Sequence, residues 1–411
     1  MNLYKRYLHD SIQEAMEYFP AILITGARQS GKSTLSMSLC ENYITLDDIM
    51  MLSLAKNDPV MFVSRLKTPI VIDEIQKAPE LLSAIKMAID SDRRAGQFIL
   101  TGSANVLDFK NVGDTLAGRI ALFELSPLSA VEVKGSAQLF VEQLFKDEFQ
   151  MDSTGIIDDD TLYSRMLSGM YPDMLSAIEP RIKYIWLSSY ISTYIERDIR
   201  DIENIRNTDK FARLIHIIAT RSGSMLNKAD LSNASADLSN ASALDVKTLD
   251  NHLTLLEMVY QIKRVRPYYA NIGKRFVKSE KLFFTDTGIL NFLLGIQTVD
   301  NMLSSPYIGS IFETFVYNEL YKQVSYLLDG TQIYYYRTLD KKEIDFIIER
   351  HGKVVAIEVK FAKQVTKEDC RHIIDLQRSS SNFHIGIVMY MGSHILPLGE
   401  NIWAVPFGHI V

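Results

Sequence analysis

One short segment constrains this chain more than any other. Gly26-Ala27-Arg28-Gln29-Ser30-Gly31-Lys32-Ser33 follows the apolar run AILIT and precedes the helical stretch TLSMSLC. The spacing G-x-x-x-x-G-K-[ST] lets the backbone fold into a nest of N–H groups which, with a helix N-terminus behind it, surrounds an anionic phosphate. Lys32 is then placed to reach the β and γ phosphates of a nucleotide, and the Ser33 hydroxyl to ligate Mg²⁺. Gly26, Arg28, Gln29, Ser30, Gly31, Lys32, Ser33 and Thr34 are the candidates for nucleotide contact.

The surroundings suit such a loop. AILIT (21–25), YITL (43–46), PIVIDE (69–74) and FILTG (98–102) are short apolar runs separated by helical patterns. Strands that are apolar along their whole length and alternate with helices imply a parallel sheet covered on both faces. In PIVIDE the apolar run ends on Asp73 and Glu74, two carboxylates at the C-terminal end of a buried strand, where ligands of open α/β sheets bind. Asp73 is expected to hold Mg²⁺ through water, and Glu74 to orient or deprotonate the attacking water. Thr101, Ser103 and Asn105 follow another strand, either as sensors of the γ-phosphate or as a strand-capping turn. Arg119 reads either as an arginine finger acting on a neighbouring subunit's nucleotide or as a salt-bridge arginine.

With 47% hydrophobic and 23% charged side chains in 411 residues, disordered, collagen-like and coiled-coil architectures are excluded, and about two to three domains are expected. Cys40 and Cys370 are too few for a disulfide framework or a cysteine metal site. No apolar run approaches the roughly 18 residues of a membrane span, and the first residues pattern as an amphipathic helix, so a cytoplasmic protein is expected. Forty-four basic against fifty acidic residues give a net charge of −6, which argues against a chain coated for nucleic acid but leaves room for a local basic patch.

Such a patch occurs at 261–281, QIKRVRPYYANIGKRFVKSEK, where Lys263, Arg264, Arg266, Lys274, Arg275, Lys278 and Lys281 face only Glu280. It reads as the two arms of a β-hairpin, fit to neutralise DNA phosphates or to dock on an acidic partner, including the chain's own other domains. Upstream, the heptapeptide ADLSNAS stands twice in tandem at 229–242, a duplication expected to lengthen a surface helix or loop.

GARQSGKST, VIDEIQKAPE, LTGSAN and LAGRI…ELSPLS, with YIERDI, KLFFTDTGIL and FETFVYNEL further on, resemble the bacterial and archaeal AAA-type P-loop ATPases that carry a C-terminal DUF4143 domain. The resemblance covers nearly the whole chain and implies an ATPase core of the ASCE type followed by a winged-helix-like module. The expected division is a P-loop core at 1–135, a helical lid or linker at 136–205 broken by the acidic loop 153–161, a winged-helix-like module at 206–295, and a small α/β domain at 305–411.

Within that last domain, EIDFIIERHGKVVAIEVK reads as a hairpin turning at His351-Gly352. This register sets Asp345 opposite Glu358 and Glu343 opposite Lys360 on one face, with Ile344, Phe346 and Ile348 against Val355, Ile357 and Val359 on the other. Asp345 and Glu358-x-Lys360 on adjacent strands, after a helix bearing Glu313, resemble the PD-(D/E)xK nuclease fold. In that reading Glu313, Asp345 and Glu358 hold Mg²⁺ and Lys360 activates water; otherwise the face is a solvated hairpin with a Glu343–Lys360 salt bridge. Gln377, on the next helix, is placed to position a substrate or to sit on the surface. The expected activity is Mg-ATP hydrolysis tied to DNA. The alternative is a nuclease-dead regulatory ATPase whose C-terminal half binds a protein partner, and a homo-oligomer is required only if Arg119 acts in trans.

Overall fold

The four apolar runs become buried parallel strands. In the computed structural model, which describes residues 4–103, 116–149, 158–176, 179–195, 208–237, 245–271, 273, 275 and 278–411, they are β1 (Ala21–Thr25), β2 (Tyr43–Thr45), β3 (Ile70–Asp73) and β4 (Phe98–Gly102). With β5 (Ile120–Glu124) they form one sheet in the order β2-β3-β4-β1-β5, and every neighbouring pair is parallel. Helices α1 (Leu8–Ala15), α2 (Lys32–Leu39) and α3 (Leu81–Ser91) belong to the same unit. Leu23, Ile72 and Leu100 of the strands pack with Leu81, Ile85 and Ile89 of α3 in a water-free core, which is why these strands carry no polar alternation. One strand, β4, lies between β1 and β3. This order brings the chain leaving β1, Asp73 at the end of β3 and Thr101 near the end of β4 to a single edge of the sheet.

By internal contacts the chain forms two units, residues 1–128 with 258–260, and residues 129–257 with 261–411. The helical segment, the basic hairpin and the C-terminal α/β part thus share the second unit. In it, α4 (Thr208–Ala219), α5 (Lys228–Asp237) and α6 (Val246–Met258) accompany a small antiparallel sheet of β6 (Ser224–Met225), β7 (Ile262–Val265) and β8 (Lys281–Phe284), ordered β6-β8-β7. The first ADLSNAS copy lies in α5, with Leu231 buried; most of the second copy lies outside the described residues. Of the acidic loop 153–161 only 158–161 is described: Asp158 caps the helix Asp159–Ser168 by accepting the Thr161 N–H at 2.8 Å.

After α7 (Thr287–Leu293) and the long α8 (Ile308–Leu327), a six-stranded mixed sheet closes the unit. It comprises β9 (Gln332–Arg337), β10 (Glu343–Arg350), β11 (Lys353–Lys360), β12 (Phe383–Tyr390), β13 (Leu396–Gly399) and β14 (Ile402–Pro406), in the order β13-β14-β12-β11-β10-β9. Helix α9 (Arg371–Ser379) joins β11 to β12. The last two strands were not visible as alternating runs. The β10–β11 hairpin turns at His351-Gly352, both with positive φ as a two-residue type I′ turn requires, and its register from Phe346↔Ile357 to Arg350↔Lys353 is the expected one.

Beyond Phe346 the expectation fails. The pairing of β10 with β9 shifts register between Ile344 and Ile347, a bulge that breaks the two-residue alternation. Ile344 and Ile347 consequently share the cluster formed with Ile373 and Leu376 of α9, whereas Phe346 packs against Phe283 and Tyr317. The face expected to hold Ile344, Phe346 and Ile348 together is therefore divided.

Candidate functional site

Between β1 and α2 the loop turns on residues with positive φ: Gly26 at 145°, Gln29 at 61° and Gly31 at 98°. At Gly26 a Cβ would collide with the Leu125 carbonyl, so only glycine lets the loop leave the sheet here. Arg6, ahead of α1, braces the loop by donating to the Ser30 carbonyl (2.7 Å) and to the Ser126 carbonyl (2.7 Å). Lys32 is buried and donates to the carbonyls of Gly26 (3.0 Å) and Ala27 (2.8 Å). Burial lowers its pKa to about 8, with the charges of Glu74 and Asp73 opposing the fall. Arg28, Gln29 and Thr34 are exposed around this loop, and the Ser30 hydroxyl is buried with no hydrogen-bond partner among the described residues.

Asp73 sits in a ring of hydroxyls. It accepts from Ser33 Oγ at 3.0 Å, from Tyr43 Oη at 2.5 Å, and from Thr101 Oγ1. Burial, and then the hydrogen bond to Asp73, hold the Tyr43 phenol well above its ordinary pKa. Glu74 has φ 59°, a left-handed backbone that a non-glycine residue adopts only when its surroundings hold it there. Its N–H donates to Thr101 Oγ1 at 3.3 Å, and its carboxylate accepts from Gln76 Nε2 and, at 3.4 Å, from Ser103 Oγ. Gln76 Nε2 also donates to Ser103 Oγ at 2.9 Å, while Gln76 Oε1 is buried without a partner among the described residues.

Lys32, Ser33, Asp73, Glu74, Thr101 and Ser103 thus meet at one sheet edge, as the motifs required; Asn105 lies outside the described residues. Three contributors were missed. In the sequence Tyr43 reads only as part of a strand, Gln76 only as part of the VIDEIQKAPE motif, and Arg6 as part of an amphipathic helix. Arg119 is not brought to this edge. It immediately precedes β5, whose first residue pairs with the first residue of β1, so it stands at the end of the sheet opposite the loop. There it forms a two-pronged ion pair with Asp90 (2.6 and 3.1 Å), the kind of partner the salt-bridge reading calls for.

A glycine-turned loop ahead of a helix, a carboxylate beside the loop hydroxyl and an intervening strand thus lie at one edge of the first unit's sheet. Residues 18–134 match the AAA domain family, residues 308–410 the DUF4143 domain of unknown function, and residues 159–300 a further domain of unknown function, DUF8612. The chain thus joins an AAA domain to a C-terminal DUF4143 domain. An uncharacterised protein of Mycobacterium tuberculosis is 28% identical over 97% of this chain and 83% of its own length. Another from Haemophilus influenzae is 25% identical over 87% of this chain and 86% of its own. Among solved structures, a Walker-type ATPase of Pyrococcus abyssi aligns at 15% identity with a TM-score of 0.45, covering 71% of this chain and 96% of that one. The ORC2 protein of Aeropyrum pernix aligns at 12% identity with a TM-score of 0.32, covering 63% and 84%.

The DUF4143 domain arranges its carboxylates differently from the expected metal site. Asp345 turns one oxygen back to accept the Val359 N–H at 2.8 Å, and Glu358 pairs with Lys360 at 2.8 Å. Glu343 does not meet Lys360; it pairs with Arg337 at 2.9 Å and with Lys281 at 3.0 Å. The same Lys281 Nζ lies 2.6 Å from Glu313 and 3.7 Å from Asp345. Among the described residues no three or more His, Cys, Asp or Glu side chains are grouped to hold a metal ion. The expected Mg²⁺ ligands Glu313, Asp345 and Glu358 are thus not grouped as a set of three, and the Lys281 ammonium stands beside two of them. Gln377 donates to the Glu400 carbonyl at 2.8 Å, a surface contact.

In the basic hairpin, whose arms pair as β7 and β8, several of the cations meet carboxylates of this chain. Arg264 pairs with Glu257 at 2.6 Å, Arg266 lies 3.9 Å from Glu280, and the buried Arg275 pairs with Glu349 at 2.6 Å while stacking on Tyr268 and Tyr334. Lys278 is exposed and Lys274 lies outside the described residues. The TDTG of KLFFTDTGIL also has a structural explanation. Buried Asp286 caps α7 through the N–H groups of Gly288 (2.8 Å) and Ile289 (3.1 Å), and accepts that of Met170 (2.7 Å). Among the described residues, no helix is long and apolar enough to cross a membrane.

Proposed function

We propose that the chain binds Mg-ATP and hydrolyses it at the edge of the first unit's sheet. The supporting observation is the 3.0 Å hydrogen bond between Ser33 of the loop and Asp73, with Glu74 next in sequence and held by two side chains. The site fits the nucleotide and its cation by its own geometry: a loop closed by Gly26, a buried unpartnered Ser30 hydroxyl, and an ammonium donating to backbone carbonyls that phosphate oxygens can replace. Ser33 and Asp73 would hold Mg²⁺, which when bound neutralises charge on the β and γ phosphates. Lys32 binds the same phosphates. Glu74 orients and deprotonates the attacking water, and Gln76 with Ser103 fixes the carboxylate that accepts the proton. Glu74→Gln should bind ATP but turn over about 10²–10⁴-fold more slowly, measured by phosphate release and nucleotide titration. Unchanged turnover would remove Glu74 from the mechanism and with it this reading.

For the second unit the regulatory alternative is favoured over a nuclease acting on DNA. The order helix, strand, helix, helix, strand, strand over 208–284 and the sheet order β6-β8-β7 support a winged-helix-like module. However, Arg264, Arg275 and Lys281, three of the seven basic residues of the patch, are committed to carboxylates of this chain, which weakens the case for contact with a phosphate backbone.

A further inference from the structure

Lys281 is out of place for a wing of a nucleic-acid-binding hairpin. It opens β8, the central strand of its sheet, and its side chain is 2% exposed. Burying a lysine's charge is costly, and here three carboxylates from two other elements converge on it to offset that cost: Glu313 of α8 at 2.6 Å, Glu343 of β10 at 3.0 Å and Asp345 of β10 at 3.7 Å. Burial works against its charge, but these carboxylates hold its pKa above the ordinary lysine value.

The cluster carries cations of its own. Glu313, Glu343, Asp345 and Glu358 bring four acidic groups, against the cations Lys281, Arg337 and Lys360. A divalent cation among the same acids would have to displace an ammonium already neutralised and shielded from water.

We propose that Lys281 is the resident cation of the DUF4143 carboxylate cluster, taking the place a divalent metal would occupy, so that this cluster is a closed ion lock joining β8, α8 and β10 and not a metal-dependent cleavage centre. The proposal goes beyond the ATPase reading and stands independently of it.

The test is thermal unfolding of the full chain, freed of metal and nucleotide, with and without millimolar Mn²⁺. The wild type and Lys281→Arg should show no Mn²⁺ shift that Asp345→Asn removes. Lys281→Met should lower the midpoint by about 10 °C, because it strands buried charge, and Mn²⁺ should recover part of that loss unless Asp345→Asn is added. A Mn²⁺ shift in the wild type that disappears in Asp345→Asn would overturn the proposal, since the cluster would then be a working metal site. An unchanged midpoint in Lys281→Met would overturn it too, as would a loss that Mn²⁺ leaves untouched, which would show a packing role. Should Lys281→Met fail to fold, the comparison of wild type with Asp345→Asn still decides.

Discussion

The nucleotide edge of the first unit and the carboxylate cluster of the second contain the same ingredients: acidic residues beside strand ends, one buried lysine and polar neighbours. They differ in what the lysine touches. Lys32 donates to two backbone carbonyls, and Asp73 is held by the hydroxyls of Ser33, Tyr43 and Thr101. Each such hydrogen bond joins a charged group to a neutral one, contributes roughly 1.5–3 kcal/mol, and can be exchanged for a phosphate or metal ligand. Lys281 instead donates directly to carboxylates away from water, where breaking a pair costs about 3–5 kcal/mol. A lysine beside acids becomes a ligand site when its resting partners are neutral, and a lock when they are charged.

This contrast breaks most directly at Lys32. Lys32→Ala should weaken ATP binding on the order of 100-fold, as expected for the loss of charge-assisted hydrogen bonds to phosphate. The nucleotide-free melting midpoint should hardly move, in contrast to Lys281→Met. Equilibrium titration with a fluorescent ATP analogue and a melt of the same sample read both, and a large stability loss would make Lys32 a lock as well.

A smaller effect is expected at Gln76, whose amide bridges Glu74 and Ser103. Gln76→Leu should lower turnover about tenfold, less than the roughly 10²–10⁴-fold carried by the acid–base group that it only positions, with ATP affinity unchanged. Steady-state kinetics would separate the two, and a rise in KM at constant kcat would assign Gln76 to binding instead. The smallest effect belongs to Arg119. Because its side chain pairs with Asp90 at the far end of the sheet, Arg119→Ala should leave turnover unchanged and independent of protein concentration. A fall in turnover would restore the finger acting between subunits.

Most of the nucleotide site was legible because its parts are contiguous. A loop whose backbone must curl round a phosphate confines its glycines, lysine and hydroxyl to eight positions, and a buried strand ending on Asp73-Glu74 announces itself by contrast with its apolar run. Tyr43 and Gln76 were not legible, because their roles exist only once β2, β3 and β4 lie side by side. In the second unit the turn at His351-Gly352 and the register of the hairpin followed from local chemistry. The bulge between Ile344 and Ile347 did not, since it depends on pairing with β9.

The sequence by itself determined the parallel sheet, the phosphate loop and the identity of the acids, since these follow from periodicity and short spacings that any compact state must respect. Which cation answers which carboxylate was left to the tertiary structure. Lys281 is 32 residues before Glu313 and 64 before Asp345 in the chain, and nothing in its local sequence separates it from the other six basic residues of its hairpin. Only the packing of β8 against α8 and β10 removes it from water, and there the converging carboxylates offset the cost of burying its charge.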